Sequence, residues 1–125
     1  MSEPLFDQVG GDAFFVQLID AFYNHVERDA TLRPLYPEDL SASRRHLTNF
    51  LVQYWGGPGT YQQERGHPRL RMRHVPFRIT AEVRDAWLTA MTAALESVRE
   101  QLSDEQFEEL RAYFVMAAQS LLNAP

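Results

Sequence analysis

The sequence contains no cysteine and no lysine, and it has no long hydrophobic run. Without cysteine there are no disulfides, no thiolate catalysis and no zinc-finger chemistry. No stretch approaches the roughly 18 apolar residues that a membrane span requires. The N-terminus, MSEPLFDQVGG, carries acids and no apolar core, so it does not read as a signal peptide, and a cytoplasmic protein is the simplest expectation. Positive charge is also scarce: the net charge is −5, which argues against a general nucleic-acid binder, because such a protein needs a basic face. All twelve basic residues are arginine, a bias from which no function is drawn.

At 125 residues the chain has the length of a single domain, and 45% hydrophobic and 12% aromatic residues are enough for a sizeable core and rule against disorder. The apolar positions recur at helical spacing. From Gly11 to about Val26, one row holds Phe14, Leu18, Phe22 and Val26, and the adjacent row holds Phe15, Ile19 and Tyr23. Asp12, Gln17, Asp20 and Asn24 take the opposite side, so the segment predicts an amphipathic helix. A proline-bounded connection, RPLYPEDL, leads to a second helix over 41–54 with Leu47, Phe50, Leu51 and Tyr54 inward, stopped by Gly56-Gly57-Pro58. A third runs from Thr80 to about Glu100 with Val83, Trp87, Met91, Ala94 and Val98 on one face. Ser103 to Gln106 reads as a capping box for a fourth, which places Phe107, Leu110, Phe114, Ala117, Ala118 and Leu121 inward. No period-2 strand is visible, so the expected class is all-α.

Residues 55–79 resist this pattern. They hold Gly56, Gly57, Gly59 and Gly66 with Pro58, Pro68 and Pro76, and leave room for only a turn or two of helix around Arg69 to His74. A long, poorly periodic stretch inside a compact domain is usually functional or mobile. His74 closes it, with Leu70 four residues before and Val75, Pro76 and Phe77 after. That setting could keep a neutral imidazole in an apolar wall, with arginines near for an anion. Neither a zinc-hydrolase H-E-x-x-H pattern, a nucleophile elbow nor a phosphate-cradling loop is present. For a single histidine, a surface role is the ordinary alternative, and His25 fits it. Tyr23 completes an apolar row and so carries a phenol into the core, where it needs a partner; a structural hydrogen bond to the backbone is one reading. Trp87 is inward as well, and a plain core tryptophan is its simplest reading.

Taken together, VGG (9–11), FYNHV (22–26), LRPLYPEDL (32–40), FLVQYWGGPGTYQQERGHPRLRMRHVPFRI (50–79) and RDAWL (84–88) resemble the truncated haemoglobins, specifically group II. The likeness extends over essentially the whole chain. It implies a two-over-two helical sandwich, two antiparallel helix pairs enclosing haem b, with His74 as the proximal iron ligand. It implies distal ligand-binding roles for Tyr23, Tyr36 and Trp87, with Ser43 and Leu47 on the second helix. Arg71 and Arg73 become candidates for the haem propionates, with His46 and Tyr61 as further candidates at that edge, and Phe22, Phe50, Leu70 and Phe77 as residues lining the group.

Such a site leaves one axial position of iron open to O2, CO, NO or peroxide, and the distal donors set affinity and reactivity. Two donors at ~1–1.5 kcal/mol each would slow O2 release roughly a hundredfold, a poor property for delivery. The expectation is therefore O2 binding with a redox role, NO dioxygenation or peroxidase-like turnover, driven by a separate electron donor or reductase because no flavin or nicotinamide site is visible. A non-catalytic gas carrier or ligand sensor is the alternative. A cofactor-free helical interaction module would explain the amphipathic helices but not residues 55–79. Oligomeric state, including a homodimer, stays open.

Overall fold

The computed structural model describes residues 3–125, and among them every regular element is helical. Seven α-helices follow in order: α1 (Leu5–Gln8), α2 (Asp12–Val26), α3 (Ser41–Tyr54), α4 (Thr60–Arg65), α5 (Leu70–His74), α6 (Ala81–Ser97) and α7 (Asp104–Ser120). Single turns of 3₁₀ helix lie at Arg33–Leu35 and Arg99–Gln101. No helix of the described residues is long and apolar enough to cross a membrane.

Helix α2 is the centre of the packing. Both its rows are sealed: Phe14, Phe15, Leu18, Ile19, Phe22, Tyr23 and Val26 are all buried. It lies against α3 on one side and α6 on the other, and α6 packs in turn on α7. Leu51 and Val52 come from α3, Ala90, Met91, Ala94 and Leu95 from α6, and Leu110, Phe114 and Ala118 from α7. These are the apolar stripes expected for helices that share one core. The expected capping box is formed: the Gln106 N–H donates to Ser103 Oγ at 3.1 Å, and the Ser103 N–H donates to Gln106 Oε1 at 2.9 Å. Phe107, Ala117 and Leu121 are only half-buried.

Residues 55–79 hold more helix than their pattern predicts. Besides α5 they contain α4, six residues ended by Gly66 at φ 77. The segment TYQQER is under two turns long, too short to display a period, and only Tyr61 in it is buried. The single-turn α1 is also absent from the sequence reading, for the same reason. It is tied in by the Phe6 N–H donating to the Trp55 carbonyl at 3.0 Å.

That tie explains the double glycine after α3. A Cβ on Gly57 would stand 2.7 Å from both the Phe6 ring and Val52 Cγ1, and one on Gly56, at φ 101, would stand 2.5 Å from Pro4 Cβ. The chain passes so closely because nothing projects there. Gly57→Ala should therefore destabilise the protein by about 1–3 kcal/mol, through overpacking against Phe6 and Val52. Denaturant unfolding of the two proteins with equal slopes and a lower midpoint for the variant is the expected result.

Candidate functional site

Three helices bring the distal candidates together. The inward row of α2 ends in Tyr23, whose ring meets Tyr36 edge-on at 5.6 Å between centroids. Tyr36 follows the 3₁₀ turn in which Pro34 sits at the first positions, and the residue itself is extended. Trp87 on α6 lies between Phe22 (5.4 Å) and Phe114 (5.9 Å). The Tyr23 hydroxyl has one partner: it donates to the main-chain carbonyl of Ser43 at 3.3 Å. That is long for a hydroxyl bond, whose usual distance is about 2.7–2.8 Å. Ser43 thus enters the cluster through its backbone, and the backbone bond foreseen for Tyr23 is present but weak.

Electrostatics keep both phenols protonated. Burial drives the Tyr23 hydroxyl far above the ordinary phenol range; neighbouring Tyr36 adds to the rise, and the Arg44 guanidinium, 5.6 Å from the ring centroid, opposes it. Burial pushes Tyr36 up to about 12, against a partial pull from the indole N–H of Trp87. Arg44 was not foreseen. It pairs with Asp20 (3.1 Å) and Glu27 (3.5 Å) while covering the Tyr23 ring. An arginine following Ser43 on a helix carries no pattern that would have marked it.

The opposite candidate, His74, ends α5 and is half-buried. Its Nδ1 stands 2.6 Å from the Leu70 carbonyl. A carbonyl only accepts, so Nδ1 carries a proton, and in the neutral ring that tautomer leaves the lone pair on Nε2. Arg69, at the entrance to α5, takes a left-handed backbone (φ 44), the one non-glycine among the described residues to do so. Its N–H donates to His67 Nδ1 at 3.1 Å. Positive φ on a non-glycine residue is uncommon and marks a constrained turn.

The propionate-edge candidates separate into two groups. The Tyr61 ring meets Phe50 at 5.5 Å, with Arg65 and Arg73 over it at 5.9 and 6.0 Å. His46 belongs to this group: burial lowers its pKa, Arg65, Arg45 and Arg73 lower it further, and Glu64 opposes them. Arg73 is partly committed to the fold, donating to the Pro68 carbonyl (2.7 Å) and the Arg65 carbonyl (2.9 Å). Arg71 stands apart, exposed beside a hollow of about 390 Å3 that Phe50, Leu70, Tyr54 and Tyr113 also line. Phe22 is sealed completely, so it backs Trp87 from within the core.

The residues present fit a haem. Helix α5 makes no extensive contact with any other helix, and α3 meets α7 only near its C-terminal end, where the Tyr54 ring lies 4.3 Å from that of Tyr113. Tyr36, Leu47, Phe50, Val83 and Trp87 rest on the core but are only partly buried, while Phe77 beyond α5 is exposed. A flat apolar group edged by carboxylates suits this combination of partly buried apolar side chains, a free imidazole nitrogen and a rim of arginines.

Comparison with known proteins gives the same picture. Residues 4–120 match the family described as bacterial-like globin. The group 2 truncated hemoglobin YjbI of Bacillus subtilis (strain 168) is 47% identical over 88 residues, covering 70% of this chain and 67% of that protein. The X-ray structure of a thermostable hemoglobin from the actinobacterium Thermobifida fusca superposes with a TM-score of 0.95 at 47% identity, covering 98% of this chain and 99% of that one. A truncated oxygen-avid haemoglobin from Bacillus subtilis superposes with a TM-score of 0.90 at 39% identity, covering 97% and 100%.

The buried phenols have a measurable signature. Tyr23, Tyr36 and Tyr113 are all raised by burial, the last two to about 12. Three of the five tyrosines should therefore stay un-ionised at pH 11 in an ultraviolet titration of the folded protein. Because the unfolded chain releases these protons near pH 10 and the folded one holds them, stability should be unaffected below pH 10 and fall as pH rises towards 12. Ionisation of all five tyrosines near pH 10 with the fold intact would contradict the described burial.

Proposed function

Since the chain belongs to the bacterial-like globins and, within them, to the group II truncated haemoglobins, with haem b as cofactor, we propose that it holds O2 tightly for redox chemistry, NO dioxygenation or peroxidase-like turnover. The observation that carries this reading is the cluster of Tyr23, Tyr36 and Trp87, three hydrogen-bond donors in a water-poor setting with weak internal partners. The haem, when bound, supplies the iron at which a small ligand such as O2, CO or NO is held.

His74 would hold the iron through Nε2, its orientation set by the bond from Nδ1 to the Leu70 carbonyl. Tyr23 gives up little in leaving the 3.3 Å bond to Ser43, and its raised pKa keeps its proton in place as a donor. Trp87 can only donate, and its edge towards Tyr36 orients one donor beside another. Donors fixed by a packed core need no reorganisation when charge develops on a ligand, which is how such groups stabilise reactive oxygen chemistry. Leu47 supplies apolar wall rather than a donor. The oxygen avidity stated for the Bacillus subtilis relative accords with a donor-rich pocket of this kind. Turnover on this reading requires electrons from a separate donor protein.

Steady-state consumption of NO in the presence of O2 and a reductant tests the catalytic reading. Sustained loss beyond one equivalent per haem is expected, whereas a carrier or sensor would stop after a single turnover. Tyr23→Phe should release O2 about two- to tenfold faster, the range of one lost hydrogen bond. An unchanged off-rate in stopped-flow displacement would take Tyr23 out of the account.

A further inference from the structure

Asn123 lies beyond the segment that matches the globin family, which ends at residue 120. Its side chain nevertheless reaches the segment that follows the proximal histidine. Asn123 Nδ2 donates to the His74 carbonyl at 3.2 Å and to the Phe77 carbonyl at 2.9 Å. Asn123 Oδ1 accepts from the Ile79 N–H at 2.8 Å, and the Asn123 N–H donates to the Ile79 carbonyl at 3.1 Å. Both amide hydrogens and the amide oxygen are used, and the partners fix which way the amide is turned: two carbonyls face the nitrogen and one N–H faces the oxygen.

The tie falls where the fold is least supported. Helix α5 has five residues, far below the length at which a helix is stable alone, and it makes no extensive contact with another helix. After it, Val75 is 71% exposed and Phe77 42%, so apolar burial does little to hold the turn. The last carbonyls of a helix have no partners within it. At His74 that carbonyl is met by the Phe77 N–H at 3.0 Å and by Asn123. On the entering side, Arg73 secures the helix through the carbonyls of Pro68 and Arg65. Asn123 is the corresponding hold on the leaving side, and it grips the ligand residue's own main chain.

We propose that Asn123 is a positioning residue for His74: its amide clasps the 74–79 segment and so fixes the orientation of the imidazole towards the iron. The proposal rests on His74 as the haem ligand. Its test uses the holoprotein in the ferrous, ligand-free state and reads the iron–histidine stretching band by resonance Raman, together with haem transfer to excess apomyoglobin. A clear band in the unaltered protein, lost in His74→Ala, establishes the ligand; its absence would sink the ligand assignment rather than the clasp. Asn123→Ala should then shift or broaden the band and speed haem loss about two- to tenfold, as expected for weakened hydrogen bonding near a ligand. Asn123→Asp can still accept from the Ile79 N–H but donates nothing. It should keep slow hydrogen exchange at the Ile79 amide while reproducing the altered band. If either variant only lowers the melting temperature and retains the original band and haem-loss rate, the clasp is a loop fastening and the proposal is overturned.

Discussion

Burial of α2 on two sides at once is the constraint from which the rest of this structure follows. Both of its inward rows are enclosed by α3 and α6, and every position in them is hydrocarbon except the hydroxyl of Tyr23. The packing that seals Phe15 and Ile19 therefore also takes a phenol out of water. A buried hydroxyl left without a good partner costs about 1–3 kcal/mol. Here the deficit is only partly made up by a 3.3 Å bond to a helix carbonyl. A fully satisfied phenol would be inert. One held in place by its ring and loosely engaged by its oxygen retains most of its donor capacity for something else.

The two sides of the candidate site are built on different principles. Tyr23, Tyr36 and Trp87 stand on or beside long helices that pack against one another, and their positions are set by close-packed rings: Tyr23 on Tyr36, Phe22 on Trp87, Trp87 on Phe114. His74 stands on a five-residue helix with little apolar support, and its segment is held by hydrogen bonds to main-chain carbonyls, those of Leu70, Pro68, Arg65, His74 and Phe77. Packing resists displacement steeply in every direction. Hydrogen bonds resist it mainly along their own axes. The His74 side is accordingly the more adjustable one, and it depends on the side chains of Arg73 and Asn123 that make these carbonyl contacts.

The parts that could be read from the sequence are those that depend on periodicity. Helix α3 begins and ends where the apolar spacing and the Gly56-Gly57 stop place it, α2 begins one residue inside its expected start, and the capping box of α7 forms as its spelling suggests. Tyr23 stands out because a polar group interrupts an otherwise apolar row. Helices α1 and α4 escaped because one or two turns show no period. Arg44 and Asn123 escaped because their roles depend on partners far along the chain, Asp20 and Tyr23 in one case and residues 74–79 in the other. A guanidinium over a ring, or an amide between two carbonyls, leaves no signature at any fixed spacing.

The uneven charge of the chain follows from the same division of labour. Residues 65–78 carry five of the twelve arginines and none of the seventeen acids, although the protein as a whole is at −5. A segment of this sign makes the local potential positive in a protein whose overall field is negative, which favours an anionic group beside it. Arginine provides this without a protonation equilibrium at any physiological pH. It also has N–H groups to spare, so Arg73 can bind two carbonyls of its own loop and still present a charged face above Tyr61. Lysine could supply the charge but not the planar fork that does both. In the stretch where apolar packing is thinnest, the Arg73 guanidinium therefore serves at once as a structural tie and as a source of positive potential, within an arginine-rich, acid-free segment that surrounds His74.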